Sequence, residues 1–121
     1  MRLMSRDAKA YLPLTPAVFH VLVALADDDR HGYAIIKAVA ARSGGAVTLG
    51  TGTLYGIVKR LLADGLVVES KRRPAAALDD ERRRYYRLTE FGRQVMSAET
   101  ERLEAMVSAA RATRAIGRAR T

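Results

Sequence analysis

Cysteine is absent from the 121-residue chain. That excludes a disulfide scaffold, a thiolate zinc site, an iron–sulfur cluster and a cysteine nucleophile. Long apolar runs are missing as well: nothing approaches the roughly 18 residues that a membrane-spanning helix needs. The opening residues, MRLMSRDAKAYLPL, lack the apolar core and small-residue cleavage site of a secretory leader. The expectation is a cytoplasmic protein with no membrane partner. Catalytic signatures are also wanting. No serine–histidine–acid spacing and no metal-ligand cluster occurs. The glycine-rich GTGTLYG lacks the lysine pattern of a phosphate-binding loop and follows no convincing strand. No enzyme, no metal and no cofactor is expected.

What the chain has in excess is positive charge, +8 at pH 7 with a pI near 10.4. Such a balance points to a polyanion, most often nucleic acid. The length suits one domain plus one further helix, and a domain this small gains from pairing with a second copy.

Periodicity predicts helices first. Thr15 and Pro16 open the first as N-cap and first residue, with Phe19, Leu22, Val23 and Ala26 on one face. The second begins at His31-Gly32, where the histidine is a cap or turn residue, buries Ile35, Ile36 and Val39, and stops at Gly44-Gly45. The third, TGTLYGIVKRLLADGL over residues 51–66, has Thr51 as its cap. Its packing residues are Leu54, Ile57, Val58, Leu61 and Leu62, and Gly65 ends it. Then the period changes. LVVESKRR and RRRYYRL read as an antiparallel hairpin around PAAALDDE, with one of Tyr85 and Tyr86 in the core and the other exposed. A long helix capped by Thr89 follows, its apolar face marked by Phe91, Val95, Met96, Leu103, Met106, Val107 and Ala110, spaced too widely to bury it alone.

The expected fold is α+β, mostly α: a winged helix-turn-helix, with a three-helix core, a two-stranded β wing and a C-terminal dimerisation helix. Residues 1–88 form the DNA-binding domain, with 1–11 as an N-terminal extension, and 89–121 the dimerisation helix and basic tail. In that design the third helix enters the major groove by its N-terminal end while the hairpin reaches the neighbouring backbone. A helix that must approach DNA needs small and hydroxyl residues in front and leucines behind. Thr51, Gly52, Thr53, Tyr55 and Lys59 supply the front, and Tyr33 lies either against the wing or on DNA. Lys71, Arg72, Arg73, Arg82, Arg83 and Arg84 load the wing with phosphate-neutralising charge.

HGYAII, GTLYGIVKRLLADGLV and RRRYYRLTEFG occur in that order and together resemble the PadR-type transcriptional regulators, over roughly residues 12 to 95. The resemblance implies a homodimeric repressor that binds double-stranded operator DNA. It also implies release by a small hydrophobic or aromatic effector, seated near Val95, Met96, Leu103, Met106, Val107 and Ala110. By the same motif match Tyr33, Thr53 and Tyr55 fall in the helical motifs, and Tyr85 and Tyr86 with the nearby arginines in the wing motif. One departure is Gly56, where such regulators usually have proline; it predicts a looser start to the recognition helix. The rival reading is a winged-helix interaction module whose basic face meets an acidic protein. The bare Thr/Gly/Tyr front argues against it, because protein-binding faces present aromatic or aliphatic anchors.

Overall fold

The computed structural model describes residues 6–71 and 83–116. After a short 3-10 turn at Ala8–Tyr11 come α1 (Pro16–Ala26), β1 (Arg30–His31), α2 (Gly32–Arg42), α3 (Thr51–Ala63), β2 (Val67–Ser70), β3 (Tyr85–Leu88) and α4 (Glu90–Arg111). The architecture is a mostly helical winged helix.

Local chemistry sets the boundaries. Oγ1 of Thr15 accepts from the Val18 N–H and Pro16 takes the first helical position of α1. Gly44 and Gly65 sit at φ +62° and +77°, just past α2 and α3. After α3 the Leu66 N–H reaches the Leu61 carbonyl and the Gly65 N–H the Leu62 carbonyl, the double closure that a left-handed residue permits. Thr89 caps α4 through the Gly92 N–H at 2.9 Å and donates its own hydroxyl proton to the Gly65 carbonyl at 2.7 Å. The start of α4 is thereby fastened to the end of α3.

Several expectations are corrected. The cap of α3 is Gly50, without a side-chain hydrogen bond, so Thr51 is already the first helical residue. Leu62, expected to pack, is 39% exposed because it falls beside the buried Leu54–Val58–Leu61 line. In α1 the fully buried residues are Val21, Leu22, Ala24 and Leu25, not a single stripe through Phe19 and Val23. This helix is covered by α2, β3 and α4 together, so more than one face is apolar.

The sheet departs furthest. Among the described residues it has three antiparallel strands in the order β1-β3-β2, not two. Arg30 pairs with Tyr86 and His31 with Tyr85, while Val67 to Ser70 run against Leu88 to Tyr85. Because β3 is central, both tyrosines are buried. Tyr86 joins the main core with Leu66, Val67 and Leu88, and Tyr85 is roofed edge-on by the His31 ring, 5.2 Å between centroids. Ser70 Oγ donates to the buried Asp29 carboxylate at 2.5 Å, tying the far end of β2 to the residue before β1.

Glu99 is the unexpected member of the core. It is 1% exposed, accepts from the Leu14 N–H at 3.0 Å and holds the Arg102 guanidinium at 2.6 and 2.9 Å. The Arg102 hydrogen bonds keep its carboxyl below the ordinary value of about 4.5, against the opposing effect of burial; the Leu14 N–H acts in the same direction. A carboxyl with a depressed folded pKa contributes stability that is complete above the unfolded value and is lost as pH falls through the folded one. Melting temperature should therefore drop as pH falls below about 4.5. A Glu99→Gln variant should be less stable at neutral pH, by about 1–3 kcal/mol, and flatter in that acidic window. Thermal melts across the pH range check both.

Candidate nucleic-acid interface

The exposed end of α3 is built from what its side chains leave out. Thr51, Gly52, Thr53, Tyr55, Gly56 and Lys59 are all exposed, while Leu54, Val58 and Leu61 face inward. A Cβ placed on Gly52 or Gly56 would meet nothing within 4 Å, so this front is open for close approach by another molecule. Despite Gly56 the helix runs unbroken from Thr51 to Ala63. A Gly56→Ala change meets neither a clash nor a positive φ. It should stabilise the fold by about 0.5–1 kcal/mol, read as a higher melting temperature, while placing a methyl group on the front.

Tyr55 does not simply project. It is 45% exposed, and its hydroxyl lies over Gly32 so closely that a Cβ there would overlap it. Gly32 is thus a close-approach glycine: the absent side chain lets Tyr55 lie on the start of α2. Tyr33, beside it, is 60% exposed, which disfavours a packing role against the wing, and the Lys37 ammonium stands 5.3 Å from its ring centroid.

Between these groups and β3 opens a cleft of about 370 Å³. His31 bounds it from the end of β1, Tyr33 from α2, Tyr55 from α3, and Arg83, Arg84 and Tyr86 from β3 and the residues before it. Arg84 donates to both carboxylate oxygens of Glu69, at 3.1 and 3.3 Å, an exposed pair that water weakens. Arg83 places Nη1 2.9 Å from Nε2 of His31. Burial raises the Tyr86 phenol pKa, helped by Tyr55 and Glu69, so this hydroxyl keeps its proton near neutrality. Lys71 is exposed at the end of β2. Arg72, Arg73 and Arg82 lie outside the described residues.

The structure therefore brings Tyr33, Tyr55, Arg83 and Arg84 around one cleft and places Thr51, Gly52, Thr53 and Lys59 along the exposed front of α3. The sequence places His31 and Gly32 only at the entry of the second helix and Tyr86 only in the wing motif, with none of the three as a site residue. The HGY motif marked the first two, but not that Tyr55 would lie across them.

The residues expected for dimerisation and an effector are distributed differently. Val95 is wholly buried in the chain's own core, and Met96 is half-buried in a shallow hollow with Arg93 and Glu101. Leu103 lines a separate apolar groove of about 490 Å³ with Phe19 and Val107. Met106 and Val107 are more than half exposed, and Ala110 is exposed. Among the described residues no cluster of His, Asp and Glu could hold a metal ion, and no helix is long and apolar enough to cross a membrane.

Comparison with known proteins settles the class. Residues 21–98 match the transcriptional regulator PadR-like family. The chain belongs to that family. Membership makes it a DNA-binding transcriptional regulator. The transcriptional regulator Rv3488 of Mycobacterium tuberculosis is 37% identical over 85 residues, covering 70% of this chain and 73% of that protein. A PadR family transcription regulator from hypervirulent Clostridium difficile has the same fold, with a TM-score of 0.64 at 22% identity, over 78% of this chain and 94% of that one. BpsR of Bordetella bronchiseptica, whose DNA binding is regulated by 6-hydroxynicotinic acid, superposes with a TM-score of 0.59 at 28% identity, over 89% and 70% of the two chains.

Proposed function

We infer that this PadR-like regulator is a cytoplasmic, homodimeric repressor that grips double-stranded operator DNA with the α3 front and the basic residues flanking β3. One observation carries the reading. The small-residue front of α3, with Tyr55 and Lys59, lies next to the cleft that Arg83 and Arg84 flank, so groups suited to base edges adjoin groups suited to phosphates. Residues 1–88 act as the DNA-binding domain and 89–121 as the dimerisation helix and tail.

The far half of α4 supports pairing. From Glu104 to Arg111 every residue is exposed, Met106 and Val107 among them. A helical end with no cover of its own owes little of its stability to packing within the chain. A second copy laid along Leu103, Met106, Val107 and Ala110 covers that apolar stripe. A single module makes few phosphate contacts, and two copies double them across a two-fold site. The groove of Phe19, Leu103 and Val107 at this junction is suited to a small aromatic or hydrophobic effector, in keeping with the aromatic ligand of BpsR.

Replacing Tyr55 by alanine separates the parts of this reading. Tyr55→Ala should cut the preference for the cognate duplex over unrelated DNA by about tenfold or more while leaving the salt dependence unchanged. Competition binding on the two duplexes measures both. Equal affinity of the unaltered protein for both duplexes would instead favour a basic module for an acidic protein partner.

A further inference from the structure

Thr89 fastens the start of α4 to the end of α3, which fixes a point but not the direction of the helix axis. Packing on α1 gives α4 a surface to lie against. Apolar burial is non-directional, however, and tolerates sliding and tilting. Directional contacts come from residues 6–14, ahead of α1.

This segment is ordered by its own local bonds. Asp7 Oδ1 accepts from the Lys9 N–H at 3.0 Å, and the 3-10 turn that follows closes with the Leu12 N–H on the Lys9 carbonyl at 3.1 Å. One end lies where α3 meets α4. There the Arg6 guanidinium donates to the Asp64 carbonyl at the C-cap of α3, a position where carbonyls lack helical partners and a cation suits the helix dipole. Arg6 also stands 4.1 Å from the ring centroid of Phe91, the second residue of α4. Tyr11 secures both groups: its hydroxyl accepts from Arg6 at 2.6 Å, and its ring meets Phe91 edge-on with 5.5 Å between centroids. The other end lies about two turns further along α4, where the Leu14 N–H donates to the buried Glu99 carboxylate at 3.0 Å. Two anchors on one helix, roughly 12 Å apart along its axis, define a line.

The direction of that line matters at the far end of α4. Met106, on the pairing stripe, is roughly 22 Å beyond Phe91 along the axis. A tilt of about 10° at Phe91 would carry it roughly 4 Å, more than one base-pair rise of about 3.4 Å. Two-fold symmetry repeats the displacement in the second copy.

We propose that residues 6–14 brace α4 against α3 and thereby set the separation of the two DNA half-sites, with Arg6 and Glu99 as positioning residues. The inference rests on the dimeric DNA-binding reading above and deepens it.

Selection of sites by the full chain from a pool of random-sequence duplexes reads half-site sequence and half-site separation independently. The unaltered protein should enrich inverted half-sites at one separation. Arg6 is exposed, so Arg6→Ala should keep the fold and the dimeric mass. It should enrich the same half-site sequence, but over separations that differ by one base pair or more. On duplexes made from the enriched sites, a one-base-pair change in separation should weaken the unaltered protein on the order of tenfold and Arg6→Ala by less than about threefold. Arg6→Lys should restore the discrimination, because an ammonium also donates to a carbonyl and stands over a ring. Tyr11→Phe keeps the ring contact and removes the hydroxyl that holds Arg6. It should shift the same way to a smaller extent, and it decides the matter should Arg6→Ala not fold. One sharp separation retained by both variants, whatever their melting temperatures, would overturn the inference and leave the DNA-binding reading standing. Loss of the half-site sequence together with the separation would overturn it as well, by placing Arg6 in base reading. Failure of the unaltered protein to enrich paired half-sites would remove the dimeric reading, and the brace with it.

Discussion

A chain carrying Leu103→Glu is expected to sediment as a monomer and to bind operator duplex on the order of a hundredfold more weakly. Leu103 is half-buried beside Phe19 and Val107, at the point where α4 leaves the cover of its own domain. A carboxylate there meets water in a monomer but apolar surface in the proposed dimer. Burying it unpaired costs several kcal/mol, about 1.4 kcal/mol per tenfold in the association constant. The fold itself should survive, because Leu54, Val58, Val95 and the rest of the core lie elsewhere. Sedimentation velocity and a thermal melt of the same sample check the two halves of the claim. A dimeric mass would show that the pairing surface lies somewhere else.

Gly92→Ala should have the largest effect on the fold. A Cβ at this position overlaps the Leu66 carbonyl oxygen and also presses on the Leu88 side chain. The backbone oxygen cannot turn aside, since it accepts from the Thr89 N–H at 3.0 Å. Relief requires α4 to lift from the β2–β3 junction, where Thr89 is bonded to the Gly65 carbonyl. The expected loss is on the order of 3 kcal/mol, or roughly 10 °C or more in melting temperature. A melt within a few degrees of the unaltered protein would mean that α4 docks less tightly than its geometry indicates.

The parts of this fold legible in the sequence are those fixed by nearby residues. Thr15-Pro16, Gly44-Gly45, Gly65 and Thr89 each announce a boundary through their own backbone or side-chain chemistry, and the structure uses them in that way. The apolar line Leu54–Val58–Leu61 and the bare front of α3 are two faces of one period, and both could be read. β1 could not be, because a strand of Arg30 and His31 alone is too short to show alternation; only its pairing with β3 makes it one. That hidden partner is why both Tyr85 and Tyr86 are buried when alternation predicted one.

Glu99 left a trace that went unread. It stands four residues after Val95 and four before Leu103, inside an apolar stripe, with Arg102 three residues on. A carboxylate in that position signals a buried ion pair. Its second partner, the Leu14 N–H, is 85 residues away and has no local signature. In the cleft, the motifs named Tyr33, Tyr55 and Arg83, but the overlap of Tyr55 with Gly32 and the placing of Arg83 on His31 arise only when α2, α3 and β3 meet.

The central claim is that two copies of this chain read one DNA site through α3 and the flanks of β3. The most direct measurement is binding of the purified protein to the DNA upstream of its own gene, against unrelated duplex, over a salt series with the stoichiometry determined. Two chains should bind selectively per site, with log affinity falling linearly as log salt rises. Binding that ignores sequence and vanishes at modest salt would contradict it, and would reduce the +8 charge to a general attraction for polyanions.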